Sequence, residues 1–320
     1  MAGARVSMYS LFVSTLEVTL PVFIMVFLGL GLKRLGWIDP PFIATASSLV
    51  FNATLPTLIF LSIIRADLDT TLNPGLLLFF ALATLVLFLL SWGWAILRVP
   101  HADRGVYVQG AFRGNCGIVG LALAAGMYGD FGLSAGGLLL GVVILTYNAF
   151  SVIALATYQE GQRADWCSIF KHIIRNPLIL AVVAAVPVAA LELRLPSWLM
   201  TSGDYFASLT LPLALICIGA TLSMGSIRES GQLAVSSSLL KMVTLPLLAT
   251  LAAWGVGFEG RELGVLFLFF ASPTAAASFV MVKAMGGNAS LAANIVALST
   301  LMASLTITLG VFALKVAGWI

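Results

Sequence analysis

Apolar residues run through this chain in ten stretches, each closed by a short polar connection. A membrane span needs roughly 20 mostly apolar residues. On that measure the stretches fall at about 13–33, 43–64, 75–97, 105–127, 136–158, 176–194, 205–225, 233–255, 263–283 and 291–314. Polar residues gather between them, in RADLDTTLNP, RVPHADRG, EGQRADWCSIFKHIIRNP and EGRE. The longest connection falls at mid-chain. The pattern predicts an all-α integral membrane protein of ten transmembrane helices. A first five-helix repeat covers 1–158, a cytoplasmic linker 159–175 and a second five-helix repeat 176–320.

The two halves share more than a helix count. TLPTLIFLSI opens at Thr54 and TLPLALICIG at Thr210, 156 positions further on. The same offset carries Gly117, in RGNCG, onto Pro273, in SPT, and the segment around Tyr147-Asn148 onto that around Ala303-Ser304. Helix breakers at matching depths in two matching halves point to a secondary transporter and to its binding site. Five is odd, so the second half enters the membrane from the opposite face and the repeat is inverted. The expected helix breaks are Gly114, Gly117 and Pro273, with Pro56 and Pro212 bending the second and seventh helices.

Composition agrees with this reading. The chain is 60% hydrophobic and 9% charged, with mean hydropathy +1.07, against about 25% charge in a soluble domain. The formal net charge of +3 is spread over many loops, with no basic block for a nucleic acid. Cys116, Cys167 and Cys217 are an odd set at wide spacings and outline no disulfide framework or zinc site. Only Arg5 precedes the first apolar run and no small-residue cleavage site stands out, so that run reads as a membrane helix rather than a removed signal. Ten Lys and Arg, among them Arg104, Arg163, Arg175, Arg228, Lys241 and Lys283, fall on the face opposite the N-terminus, against five on the N-terminal face. Positive charge favours the cytoplasm, which places both termini outside a multi-pass protein of the plasma (inner) membrane.

Few polar residues stand at depth. Glu17, one turn into the first helix, reads as an interfacial or snorkelling carboxylate ahead of a proton or cation carrier. His101 and His172 lie in expected loops, which leaves little for acid–base or metal chemistry within the membrane and argues against an enzyme. Arg113, inside GAFRGNCG, lies near mid-depth with no evident acidic mate. Either it faces a water-filled cavity or an anionic ligand, or the helix starts later and the side chain snorkels to the surface. Two glycines within Gly114-Asn115-Cys116-Gly117 weaken the fourth helix by about 1 kcal/mol each. In Ser272-Pro273-Thr274 the proline removes a backbone donor and the hydroxyls can satisfy freed groups. Half-helix N-termini there would present about half a positive charge each, which with Arg113 favours an anion. Gly219, Ala220 and Gly225 permit close helix packing. Tyr147, Asn148 and Ser151, with Asn294, Ser299, Thr300 and Ser304, read singly as interhelical hydrogen bonds, and Lys283 as a snorkelling cation.

The chain resembles the auxin efflux carrier family. The resemblance is carried by LPVFIMVFLGLGLKRLGW, FNATLPTLIF, FRGNCGIVGLAL, the LTYN of the fifth helix, LPLALICIGATLSM and ASPTAAASFVMVKAMGGNASLAANIVALSTL, in that order along nearly the whole chain. It implies the inverted five-plus-five fold shared with sodium/proton antiporters and bile-acid symporters, with helices four and nine unwound and crossing. It implies a scaffold of helices 1, 2, 6 and 7, through which members form homodimers, and a transport unit of helices 3–5 and 8–10. Asn115 matches the polar residue of the first crossing and Pro273 the proline of the second. The plant exporters carry proline directly after that asparagine, where this chain has Cys116-Gly117, and a long central loop where it has only 159–175. Bacterial members are linked to small organic acids such as malonate or malate.

The resulting expectation is a secondary carrier for small organic anions that works by an elevator motion in the lipid bilayer. Its substrate-binding residues are Arg113, Asn115, Gly117, Ser272, Pro273, Thr274 and Asn148. No cofactor is expected, and a coupling ion, Na+ or H+, is left open. A sodium-coupled symporter of the bile-acid type is the nearest alternative, with Asn115, Ser272 or Thr274 in a cation shell. An ion channel is the more distant one.

Overall fold

A computed structural model describes residues 8–65, 73–158, 175–222, 225 and 231–320. The helices are, in chain order, α1 (Met8–Arg34), α2 (Pro40–Arg65), α3 (Pro74–Arg98), α4 (Arg104–Phe112), α5 (Cys116–Tyr158), α6 (Pro177–Ala190), α7 (Ser197–Thr221), α8 (Gln232–Val256), α9 (Gly260–Phe270), α10 (Ala276–Ala284) and α11 (Ala289–Val316). Seven of these are long and apolar enough to cross a membrane: α1, α2, α3, α5, α7, α8 and α11. Most of the expected linker, with Arg163, Cys167, Lys171 and His172, lies outside the described residues, as do Arg5 and Arg228.

Several helix starts follow one local rule. Asp39, Asn73 and Asn176 each accept a backbone N–H of the first turn, and each is followed by a proline whose missing donor costs nothing there. Asn288 caps α11 in the same way through the amide of Leu291.

The longest helix is not one pass. At 43 residues α5 would reach about 65 Å if straight, twice a hydrocarbon core of roughly 30 Å. Gly129 divides it with non-helical angles, φ 56° and ψ −132°. A Cβ built on Gly132 would run into the carbonyl of Ala124, a contact that eight residues of straight helix forbid. The chain therefore turns back on itself between the expected fourth and fifth spans.

The TLP strings act on their helices in a way the sequence did not indicate. Widened π turns occupy Val50–Thr54 in α2 and Leu240–Thr244 in α8, and each ends on the threonine of a Thr-Leu-Pro string. A proline lacks its N–H and its ring crowds the carbonyl four residues back, and a π turn relieves both. The string occurs four times, at 19–21, 54–56, 210–212 and 244–246, so it does not by itself mark the repeat. Before Thr210 no π turn forms; α7 is instead interrupted by a single turn residue, Leu209, which keeps helical angles. Pro21 lies within continuous α1.

Packing divides between glycine contacts and aromatic rings. α1 and α7 meet backbone to backbone: a Cβ on Gly29 would strike the carbonyl of Ile216, and one on Gly219 that of Val26. Only glycine allows so close an approach. At the far edge of α2, Arg65 and Asp204 form an exposed ion pair at 2.8 Å. Elsewhere α3, α4, α5 and α9 enclose a block of rings. Phe80 stacks on Phe270 at 4.7 Å, Phe88 on Phe150 at 4.8 Å, and Tyr147 meets Phe112 edge to face.

Lys241 does not reach the face opposite the N-terminus on which the charge count placed it. It sits in the π turn of α8 and is 2% exposed. Glu17, by contrast, is exposed on α1.

Candidate functional site

α4 rises about 14 Å over its nine residues and α9 about 16 Å over its eleven, each near half the hydrocarbon thickness. Beyond them the backbone leaves helical geometry, at Arg113–Asn115 and at Ala271–Ala275, before α5 and α10 begin. The two interruptions meet. The amide of Asn115 donates to the carbonyl of Pro273 at 2.6 Å, and that of Ala275 to the carbonyl of Arg113 at 3.2 Å. Between these bonds Gly114 and Thr274 form an isolated antiparallel bridge. A pair of backbone bonds at depth satisfies groups that lipid could not.

The two segments do not keep the constant 156-residue offset that carries Gly117 onto Pro273. α4 and α9 start 156 residues apart, α5 and α10 restart 160 apart. α9 is two residues longer than α4, and the second interruption is two residues longer than the first.

Beside the crossing lies a cavity of about 310 Å³, lined mainly by apolar side chains. Val50, Phe51 and Leu55 of α2 and Ala214, Cys217 and Ile218 of α7 form one wall. The other holds Arg113, Gly114 and Asn115 of the first interruption, the opening residues Cys116–Ile118 of α5, and Ala275–Ala277 at the start of α10. Tyr147 and Asn148 of α5 and Asn176 before α6 also face it. The cavity thus has a helix N-terminus from each interrupted segment in its wall. The first N–H groups of a helix have no acceptor within it, so they give such a wall positive character.

Arg113 is 8% exposed and does not extend to a membrane face. Its guanidinium donates to Asn148 Oδ1 at 3.0 Å, to Ser151 Oγ at 3.1 Å and to Met281 Sδ. All three acceptors are neutral, and the thioether is a weak one. Among the described residues no Asp or Glu is buried. Asn115 lines the cavity with non-helical angles, φ −85° and ψ 56°, and its carbonyl accepts the amides of Val119 and Gly120. Its carboxamide has no partner among the described residues. Gly117 also lines the cavity, and Asn148 lines it while holding Arg113.

Ser272, Pro273 and Thr274 lie at the crossing but not on the cavity wall. Ser272 donates to the carbonyl of Leu268, and the hydroxyl of Thr274 to that of Gly110 at the open end of α4. The Thr274 amide donates to Ser299 Oγ. These groups satisfy backbone left open by the interruptions. Ser304, like Thr300, bonds a carbonyl of its own helix.

Four features escaped the sequence reading: Met281 as a partner of Arg113, Asn176 and Cys217 on the wall, and buried Lys241, whose ammonium donates to the carbonyl of Phe270 at 2.8 Å. Only Lys241 gave a signal, as a charge nine residues into an apolar span.

A family model described as membrane transport protein matches residues 14–166 and 162–311, nearly the whole chain. A protein of Methanothermobacter thermautotrophicus, described as an uncharacterized transporter, is 26% identical over 309 residues, covering 93% of this chain and 98% of its own. An uncharacterized transporter of Methanocaldococcus jannaschii is 24% identical, with coverage of 83% and 88%. The uncharacterized transporter YfdV of Escherichia coli K12 is 23% identical, with coverage of 86% and 91%.

Proposed function

We propose, on the premise that this chain belongs to the auxin efflux carrier family of membrane transport proteins, that it is a secondary carrier of small organic anions. One observation carries the choice of charge. Two cations, Arg113 and Lys241, are buried at the helix crossing, and no carboxylate among the described residues is buried with them. A buried guanidinium with only neutral partners costs several kcal/mol. A carboxylate ligand offsets that cost and can take a bidentate bond in place of the thioether contact. The two helix N-termini in the same wall act in the same sense, and the small cavity suits a mono- or dicarboxylate of malonate or malate size.

The architecture that best accommodates these features is the five-plus-five inverted repeat of ten spans. Equal lengths support it, since α3 and α8 are both 25 residues, as does the antiparallel sense of the crossing. In this reading α1, α2, α6 and α7 form a scaffold and homodimer contact. The remaining helices carry the crossing past it by an elevator motion, and the cavity between α2/α7 and the crossing is the place where the two units part. Both termini lie on the non-cytoplasmic face of the plasma membrane.

The test is a thermal-shift screen of purified protein against organic acids, followed by uptake of the hits into proteoliposomes. A ligand that binds only the folded state raises its melting point. Carboxylates should raise it and be transported, and organic cations should not. Stabilisation and uptake restricted to cations or neutral solutes would overturn the reading.

A further inference from the structure

We propose that the ammonium of Lys241 is a tethered cation occupying the place at the crossing that a coupling sodium ion would need, so that the carrier cycles without sodium. This deepens the carrier reading above and rests on it.

The interruption after α9 leaves the last carbonyls of that helix without intrahelical donors, and such an end carries about half a negative charge. Ala271 and Ser272, just beyond the helix, serve the carbonyls of Phe267, Leu268 and Phe269, while the Phe270 carbonyl takes its donor from elsewhere in the fold. Lys241 Nζ bonds the carbonyl of Phe270 at 2.8 Å, and the Cys116 thiol that of Phe269 at 3.2 Å. Gly114 shows how tightly this cluster is drawn. A Cβ there would stand 3.0 Å from Lys241 Nζ, 3.3 Å from the Ser272 carbonyl oxygen and 3.4 Å from Cys116 Sγ.

Backbone carbonyl oxygens at a break in a buried helix are the ligand type that coordinates sodium in broken-helix transporters. Here an ammonium already lies among them, 2% exposed, delivered from the π turn of α8. It has three donors, one of them fixed on Phe270. A free monovalent cation in the same oxygen set would lie within a few ångströms of this fixed charge. Like-charge repulsion at low dielectric excludes it. The missing side chain at Gly114 then has a function, since any Cβ there would push against the ammonium.

Melting points of the purified protein, taken in sodium chloride and in choline chloride at equal concentration, test the proposal. The wild type should melt at the same temperature in both, and should bind no radioactive sodium. Lys241→Ala should melt about 5 °C lower in choline and recover at least half of that loss in sodium or methylammonium chloride. Lys241→Met, which fills the space without charge, should melt lower with no recovery. Sodium-specific stabilisation of the wild type, or sodium binding to it, would overturn the proposal. So would a Lys241→Ala protein indifferent to every small cation. If Lys241→Ala cannot be purified, the wild-type sodium measurement decides alone. These readouts follow cation binding rather than uptake, so their failure leaves the organic-anion reading standing. Failure of that reading appears only in the carboxylate screen.

Discussion

The amide of Asn115 and the carbonyl of Pro273 are bonded across 2.6 Å, which joins the two interrupted segments at one point deep in the fold. Around that bond the side chains divide. Ser272 and Thr274 turn inward to backbone carbonyls, while Arg113, Asn115 and Asn148 line the cavity.

Arg113→Ala is expected to reduce carboxylate uptake about 10- to 100-fold, the loss of one charge-assisted bond of roughly 1.5–3 kcal/mol. Arg113→Lys should restore only part of it, since an ammonium cannot reproduce the fork of donors now shared among Asn148, Ser151 and Met281. Initial rates in proteoliposomes measure both. Normal transport by the alanine variant would remove the main support for an anionic substrate.

Met281→Glu should place a permanent carboxylate against the guanidinium of Arg113. The variant is expected to melt no lower than wild type but to lose both carboxylate uptake and stabilisation by carboxylates. A variant that still responds to them would show that Arg113 is not where the ligand binds.

Asn115→Ala removes a carboxamide that has no protein partner among the described residues and leaves the backbone bond to Pro273 intact. Ligand affinity should fall by about 1–3 kcal/mol with little change in melting point. Calorimetry or thermal shift against a transported acid reads both. A large fall in stability with unchanged affinity would make Asn115 a structural residue.

Gly29→Val and Gly219→Val should sharply reduce the yield of folded protein, because each side chain must displace a backbone carbonyl of the facing helix. Gly31→Ala is the control, since nothing lies within 4 Å of a Cβ at that position. Size-exclusion profiles in detergent compare the three. Equal profiles would mean that α1 and α7 do not pack as described.

Orientation is open to cysteine labelling. Trp37 and Glu192 are exposed in connections that fall on opposite faces in the charge-based topology. An impermeant thiol reagent on intact cells should label Glu192→Cys and not Trp37→Cys, in a background lacking native cysteines. The reverse pattern would invert the topology.

Hydropathy made most helices legible, because a bilayer imposes one simple length and composition on whatever crosses it. Both interruptions were legible too, since Gly114 and Pro273 are poor helix formers wherever they stand, whereas Gly117, expected as a further break, lies inside the opening π turn of α5. Register and partnership were harder to read. Lys241 looked like a surface charge because fifteen or so apolar neighbours cannot report that a π turn aims one side chain inward. Met281 gave no sign of meeting Arg113, since a thioether resembles any other apolar residue in sequence and the two are 168 positions apart. Ser272 and Thr274 were the right chemistry facing the wrong way: hydroxyls beside a proline serve the backbone first. Nothing in the sequence around Gly129 sets it apart from the other glycines of the chain, although the reversal of α5 depends on its positive φ.

The bond between Asn115 and Pro273 also has a meaning in time. The two residues are 158 positions apart, so at about 5–20 residues per second the ribosome needs roughly 8–30 s to deliver the second after the first. Throughout that interval α4 is a nine-residue stub, too short to hold the membrane alone, ending in Arg113 and an unpaired backbone. The nascent first half must therefore wait with its centre open, sheltered by water, by lipid headgroups or by the insertion machinery. Its completion is an event of synthesis that only the last third of the chain can bring about.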